Sequence, residues 1–107
     1  MSNTWSTLSN PDIEWQLAED VELEPPYRVI IHNDDVTTFE FVIRVLQTIF
    51  GLNVMMAEQI ANRTHTHGSA YVGTFPKSEA ETKVNKTHFA AQLEGFPLRL
   101  TIEPEEI

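Results

Sequence analysis

The stretch His32-Asn33-Asp34-Asp35 gathers an imidazole, an amide and two carboxylates directly after an apolar run. The chain then turns at once into Thr37-Thr38-Phe39-Glu40-Phe41, which reads as the start of a helix. Two further histidines, His65 and His67, sit in Arg63-Thr64-His65-Thr66-His67. There is no cysteine, so thiolate nucleophiles and disulfides are excluded. The four glycines are scattered as punctuation and form no phosphate-cradling loop.

Three chemistries compete for this polar cluster. A metal site has the right ligand types in His32, Asp34, Asp35, His65 and His67. Residues two apart on a helix, however, point about 200° away from each other. Only one of His65 and His67 can therefore share a site with the 32–35 turn, and the expectation is no metal and no cofactor. General acid–base catalysis could use a carboxylate and a histidine, but the chain offers no serine in a strand-to-helix elbow, and the expectation is that it is not an enzyme.

The third reading uses more of the sequence. Ala61, Thr64 and His65 fall on one face of a helix, and Phe39 and Val42 share a face of the helix before it. If those faces meet, an apolar pocket lies between them, with Asn33, Asp34 and His65 at its mouth. Such a rim suits an α-amino group, whose three N–H donors need acceptors. A peptide that begins with a bulky apolar residue would satisfy rim and pocket together. Two plainer readings stay open: Asp34-Asp35 as a solvated turn that caps the next helix, and the apolar faces as interhelical core.

The elements that must position these residues follow from periodicity and caps. Residues 27–32, Tyr-Arg-Val-Ile-Ile-His, read as a buried strand. Thr37 with Glu40 has capping-box spacing before a helix through Phe41, Val42, Val45, Leu46 and Ile49, which Gly51 ends. Asn53 caps a helix over 54–67 that Gly68 stops. A strand over 69–75 follows. Ser78 with Glu81 then opens a helix through Val84, Phe89, Ala90 and Leu93, closed by Gly95. Residues 97–103 alternate as a half-buried strand. The fold class is α+β, in the order β-α-α-β-α-β, with three helices on one face of a three-stranded antiparallel sheet.

Charge narrows the partners. The formal net charge is −9, which argues against nucleic acid. Residues 1–26 hold six acidic side chains and no lysine or arginine, so residues 1–25 are expected to form a disordered acidic extension ahead of a domain over 26–107. No run approaches the roughly 20 apolar residues of a membrane span, and the start has no signal-peptide pattern. The expected setting is the cytoplasm, or a plastid stroma in a plant host.

From about Pro25 to Glu103 the chain resembles the ClpS family, adaptors that recognise N-degrons and deliver them to a Clp unfoldase–protease. The resemblance is carried by VIIHNDDVTTFEFVIRVL, the first histidine of RTHTHG, AETKVNK and PLRLTIE. It implies that Asn33, Asp34 and His65 bind a peptide's α-amine and first backbone groups, with Asp35 and Thr37 supporting the turn. It further implies that Ile31, Phe39, Val42, Ala61, Thr64 and Leu98 line the pocket for the first side chain, which is Phe, Tyr, Leu or Trp. Glu79, Glu81 and Lys83 would dock on the N-terminal domain of an AAA+ Clp unfoldase, the acidic extension would help hand over cargo, and the adaptor would be a monomer. The alternative within this resemblance is a domain that modulates the unfoldase without binding peptides. Three departures stand out: Thr38-Phe39 where proline and methionine are common, Ala61 where methionine is usual, and Thr64 in place of valine, which adds a hydroxyl to the pocket. Ser78 occupies a position that is often acidic, with Glu79 one step along.

Overall fold

A computed structural model of the chain describes residues 24–106. Its elements are β1 (Pro26–His32), α1 (Phe39–Thr48), α2 (Val54–His67), β2 (Ser69–Pro76), α3 (Lys77–Leu93) and β3 (Arg99–Pro104). The strands form one antiparallel sheet in the order β2-β1-β3, so β1 is the central strand. This is the expected α+β order. The extension expected over residues 1–25 lies outside the described residues except for its last two, Glu24 and Pro25. Both of these bond into the domain: the Glu24 carboxylate accepts from Ser78, and the Pro25 carbonyl accepts from the Lys77 N–H.

Strand parity decides where the core sits. Val29 and Ile31 are fully buried, at 0% exposure each, and face the helices along with Ala70, Val72 and Leu100 from the flanking strands. One face of β1 is sealed by α1, α2 and α3, and the alternating residues Arg28 and Ile30 look the other way. On the open face Arg28 stacks over Tyr71 and pairs with Glu103 at 2.7 Å. From α1, Phe41, Val42, Val45 and Leu46 enter the core, and the Phe41 ring meets Phe96 edge-on at 5.0 Å.

Several local expectations need correction. The cap of α1 is Thr38, whose hydroxyl accepts from the Phe41 N–H at 3.1 Å; it is not Thr37. Thr37 is already committed, its hydroxyl donating to Asp34. The Ser78–Glu81 capping box does not form either. α3 begins two residues earlier than a Ser78 cap would set, with Pro76 as a cap that has no side-chain bond, and Ser78 is itself held by Glu24. The buried face of α3 is Ala80, Val84, Thr87 and Ala91, while Phe89 and Leu93 stand 63% and 73% exposed. The third strand starts at Arg99, two residues later than its alternation predicts.

Two contacts lock α3 in place. Lys83 donates to the Ile49 carbonyl at 3.1 Å, at the C-terminal end of α1, with its ammonium between the Phe50 and Phe75 rings. His88 accepts the Leu100 N–H at 3.0 Å, a donor on β3 that no strand takes up. Because Phe41 is buried and joined to Phe96, replacing it with alanine opens a cavity under α1. Phe41→Ala is expected to cost about 3–5 kcal/mol in urea unfolding; a loss below about 1 kcal/mol would mean that α1 does not rest on this ring.

Candidate functional site

The turn after β1 is built by one carboxylate. Asp34 Oδ1 accepts the Val36 and Thr37 N–H groups at 2.8 and 2.7 Å, and Oδ2 accepts the Thr37 hydroxyl at 2.7 Å. Partial burial opposes the charge, but these bonds from Thr37 and Val36 outweigh it and hold the Asp34 carboxyl below its usual range. The plain turn reading is thus physically present. It leaves part of the carboxylate free, since a carboxylate has about four lone-pair sites and three are used.

The turn is tied to the end of α2. Gly68 closes α2 in the left-handed region at φ 92°, its N–H returning to the Thr64 carbonyl at 2.9 Å. The Gly68 carbonyl then accepts the Asn33 N–H at 2.9 Å. This bond brings the last turn of α2, and with it His65, beside Asn33 and Asp34. A cavity of about 370 Å³ opens at the junction. Its polar side is His32, Asn33, Asp34, Asp35, Thr37 and His65; its walls are Phe39 and Val42 from α1, Ala61 and Thr64 from α2, and Leu98 from the segment before β3.

Ten of the residues singled out from the sequence for the amine, the turn and the pocket meet here. Ile31 does not: strand parity points it into the core, and it is absent from the cavity lining. Glu79, Glu81 and Lys83 lie on α3, away from the cavity. Thr64 also differs from expectation. Its hydroxyl donates to the Ile60 carbonyl at 2.7 Å, so the proton of the extra hydroxyl is used inside the helix. Phe39 is 44% exposed at the cavity's edge. His65 makes no hydrogen bond or ion pair among the described residues and is exposed, whereas His67 faces away and meets Thr66.

His32 is the lining residue that sequence reasoning left out of the pocket. It ends β1 on the open face, where a ring nitrogen lies 2.8 Å from the Thr101 hydroxyl. Its signal was adjacency, one position before Asn33. Among the described residues no cluster of three or more His, Asp or Glu side chains is placed to hold a metal, and no helix is long and apolar enough to cross a membrane.

Residues 22–101 match the family model "ATP-dependent Clp protease adaptor protein ClpS". The chain belongs to the ClpS family. A ClpS adaptor from Desulforapulum autotrophicum is 41% identical over 103 residues, covering 92% of this chain and 99% of that protein. One from Myxococcus xanthus is 43% identical over 82 residues, 77% of each chain. Among solved structures, Agrobacterium tumefaciens ClpS2 bound to L-phenylalaninamide superposes with a TM-score of 0.73 at 36% identity, covering 76% of this chain and 98% of that one. This ClpS chain is an adaptor of the Clp protease and not an enzyme, and it works with that protease and its substrates.

The rim has a pH signature. Burial first, and Arg99 second, lower the His32 pKa from its ordinary 6.5. Below about pH 6.5 the unfolded ClpS chain takes up a proton that the folded one resists, so stability falls as the pH drops through that range. The Asp34 contribution has the opposite group type but the same direction. Its folded pKa is depressed, so it is intact above the ordinary 3.8 and lost only as pH falls through the lowered value. Urea unfolding between about pH 7 and 5 should show a slope that His32→Gln reduces; an unchanged slope would remove His32 as its source.

Proposed function

We propose that this adaptor binds substrate proteins by a hydrophobic N-terminal residue and delivers them to an AAA+ Clp unfoldase. The observation that carries the proposal is the cavity with acceptors at its mouth and apolar walls behind. Asn33, Asp34 and His65 receive the α-amine and the first backbone groups. Asp35 and Thr37 support the turn that holds them, and Phe39, Val42, Ala61, Thr64 and Leu98 surround the first side chain. L-phenylalaninamide, which A. tumefaciens ClpS2 binds, has the matching parts: a free α-amine, an aromatic side chain and an uncharged carboxamide.

On α3, Glu79 and Glu81 stand in the open to meet the N-terminal domain of the unfoldase, and Lys83, tied to Ile49, holds the helix that carries them. Residues 1–23 assist the hand-over of cargo. The side chains accepted are Phe, Tyr, Leu and Trp. With the Thr64 proton committed to Ile60, the hydroxyl oxygen keeps only acceptor capacity toward the first side chain.

A peptide panel that differs only at the first residue, each member with a free and an acetylated amine, tests the reading. Free-amine Phe and Leu peptides should bind and their acetylated forms should not; indifference to acetylation would overturn amine recognition. His65→Ala is the clean rim variant because His65 has no hydrogen bond or ion pair among the described residues to lose. One charge-assisted hydrogen bond, at about 1.5–3 kcal/mol, corresponds to a loss of roughly 10- to 150-fold in affinity. Unaltered affinity would take His65 out of the site. Ala61→Met narrows the wall opposite Phe39 and should weaken Phe-initiated peptides more than Leu-initiated ones. An unchanged Phe-to-Leu ratio would mean that Ala61 does not bound the first side chain.

A further inference from the structure

The mouth of the cavity is uneven in charge. Toward α1 stand Asp35 and, just beyond Phe39, Glu40, and neither has an ion pair among the described residues. On the sheet side stands His32, whose antiparallel partner on β3 is Arg99. Arg28, Arg44 and Lys83 are paired with Glu103, Glu94 and Glu79. Arg99 is exposed and makes no hydrogen bond or ion pair among the described residues. After burial, its guanidinium is the second cause of the lowered pKa of His32, which places the two side chains near each other. A cation without a partner thus sits one residue from Leu98 on β3 and opposite His32 on β1, both of which line the cavity.

Successive side chains of an extended chain point to opposite sides. Leu98 and Arg99 follow this rule: Leu98, 6% exposed, lines the cavity, and Arg99 emerges on the open face of the sheet. Ile31 and His32 repeat it on β1, the first in the core and the second on the open face. We propose that Arg99 is a specificity-determining residue that favours a carboxylate side chain, Asp or Glu, at the second position of the substrate. The proposal rests on the reading of the cavity as the seat of the first residue. An extended peptide with its first side chain beside Leu98 turns its second side chain to the opposite side, where Arg99 stands. The guanidinium offers a fork of donors that a carboxylate accepts in pairs. A lysine at the same position meets a like charge. His32, held to Thr101 at 2.8 Å, keeps this end of the rim in place. Because Arg99 is open to water, the outcome is a preference and not a requirement.

The test must separate a local contact from the net charge of the chain. Peptides that begin Phe-Glu, Phe-Gln and Phe-Lys and are otherwise identical are titrated against four full-length proteins: the unaltered chain, Arg99→Ala, Arg99→Lys and Lys86→Ala. Lys86 is an exposed cation on α3, outside the cavity lining and without an ion pair among the described residues, so its loss changes the net charge equally. The quantity read is the affinity for Phe-Glu divided by that for Phe-Lys. It is expected to fall by about threefold or more in Arg99→Ala, to be largely kept in Arg99→Lys, and to stay unchanged in Lys86→Ala. High ionic strength should shrink the difference between the unaltered chain and Arg99→Ala. The same ratio in these two proteins at low salt would overturn the proposal. An equal fall in Lys86→Ala would overturn it as well, by reducing the effect to net charge. Free and acetylated Phe-Gln peptides are run alongside. If the unaltered chain does not distinguish them, the reading of the cavity fails and the proposal falls with it; if it does and the ratio stays fixed, the role of Arg99 alone is lost.

Discussion

One carboxylate sets the geometry on which the site depends. Asp34 receives two backbone N–H groups and one hydroxyl within three residues of chain, which leaves the link from β1 to α1 little freedom. The start of α1 follows from it: with Thr37 claimed by Asp34, the neighbouring Thr38 is the threonine left to cap the helix. The bond from Asn33 to the Gly68 carbonyl then joins the same turn to the end of α2 and the start of β2. Four elements converge within a few residues, and the cavity is the space that remains between them.

This convergence gives Asp34 a structural role in the turn without using up its carboxylate. A carboxylate held charged by three donors keeps an acceptor site for a fourth. Its cost of desolvation is already offset by bonds that exist without any ligand. The walls show the same economy of means. Thr64 is polar by composition, yet its hydroxyl proton serves the backbone of its own helix, so only acceptor capacity is left to the cavity.

The legible parts of the sequence were those governed by neighbours along the chain. Asn53 as a cap, Gly68 as a stop and the β-α-α-β-α-β order all follow from short-range rules. Asn33, Asp34 and His65 could be grouped because helical spacing and a strand end leave few alternatives. The errors share a different origin. Thr37 and Thr38 are equivalent to a spacing rule, and only the Asp34 bond distinguishes them. Ser78 looked like a cap until a glutamate 54 positions earlier in the chain took it. Phe89 and Leu93 fit a helical period, but a period does not say which stripe is buried, and small residues at Ala80, Thr87 and Ala91 fill that face. Ile31 was assigned to the pocket although its parity matches Val29, while His32, one position on, reaches the rim.

The bond between His88 and the Leu100 N–H bears on a hazard peculiar to adaptors. A protein that handles other polypeptides is surrounded by extended chains, and an open strand margin would zip onto them with no regard to their side chains. Along β3 that margin is interrupted at both ends: His88 occupies the Leu100 donor, and Pro104 has no N–H to give. The histidine acts as insulation on a live backbone. What a passing chain finds on this side is a strand margin with both of those donor positions closed.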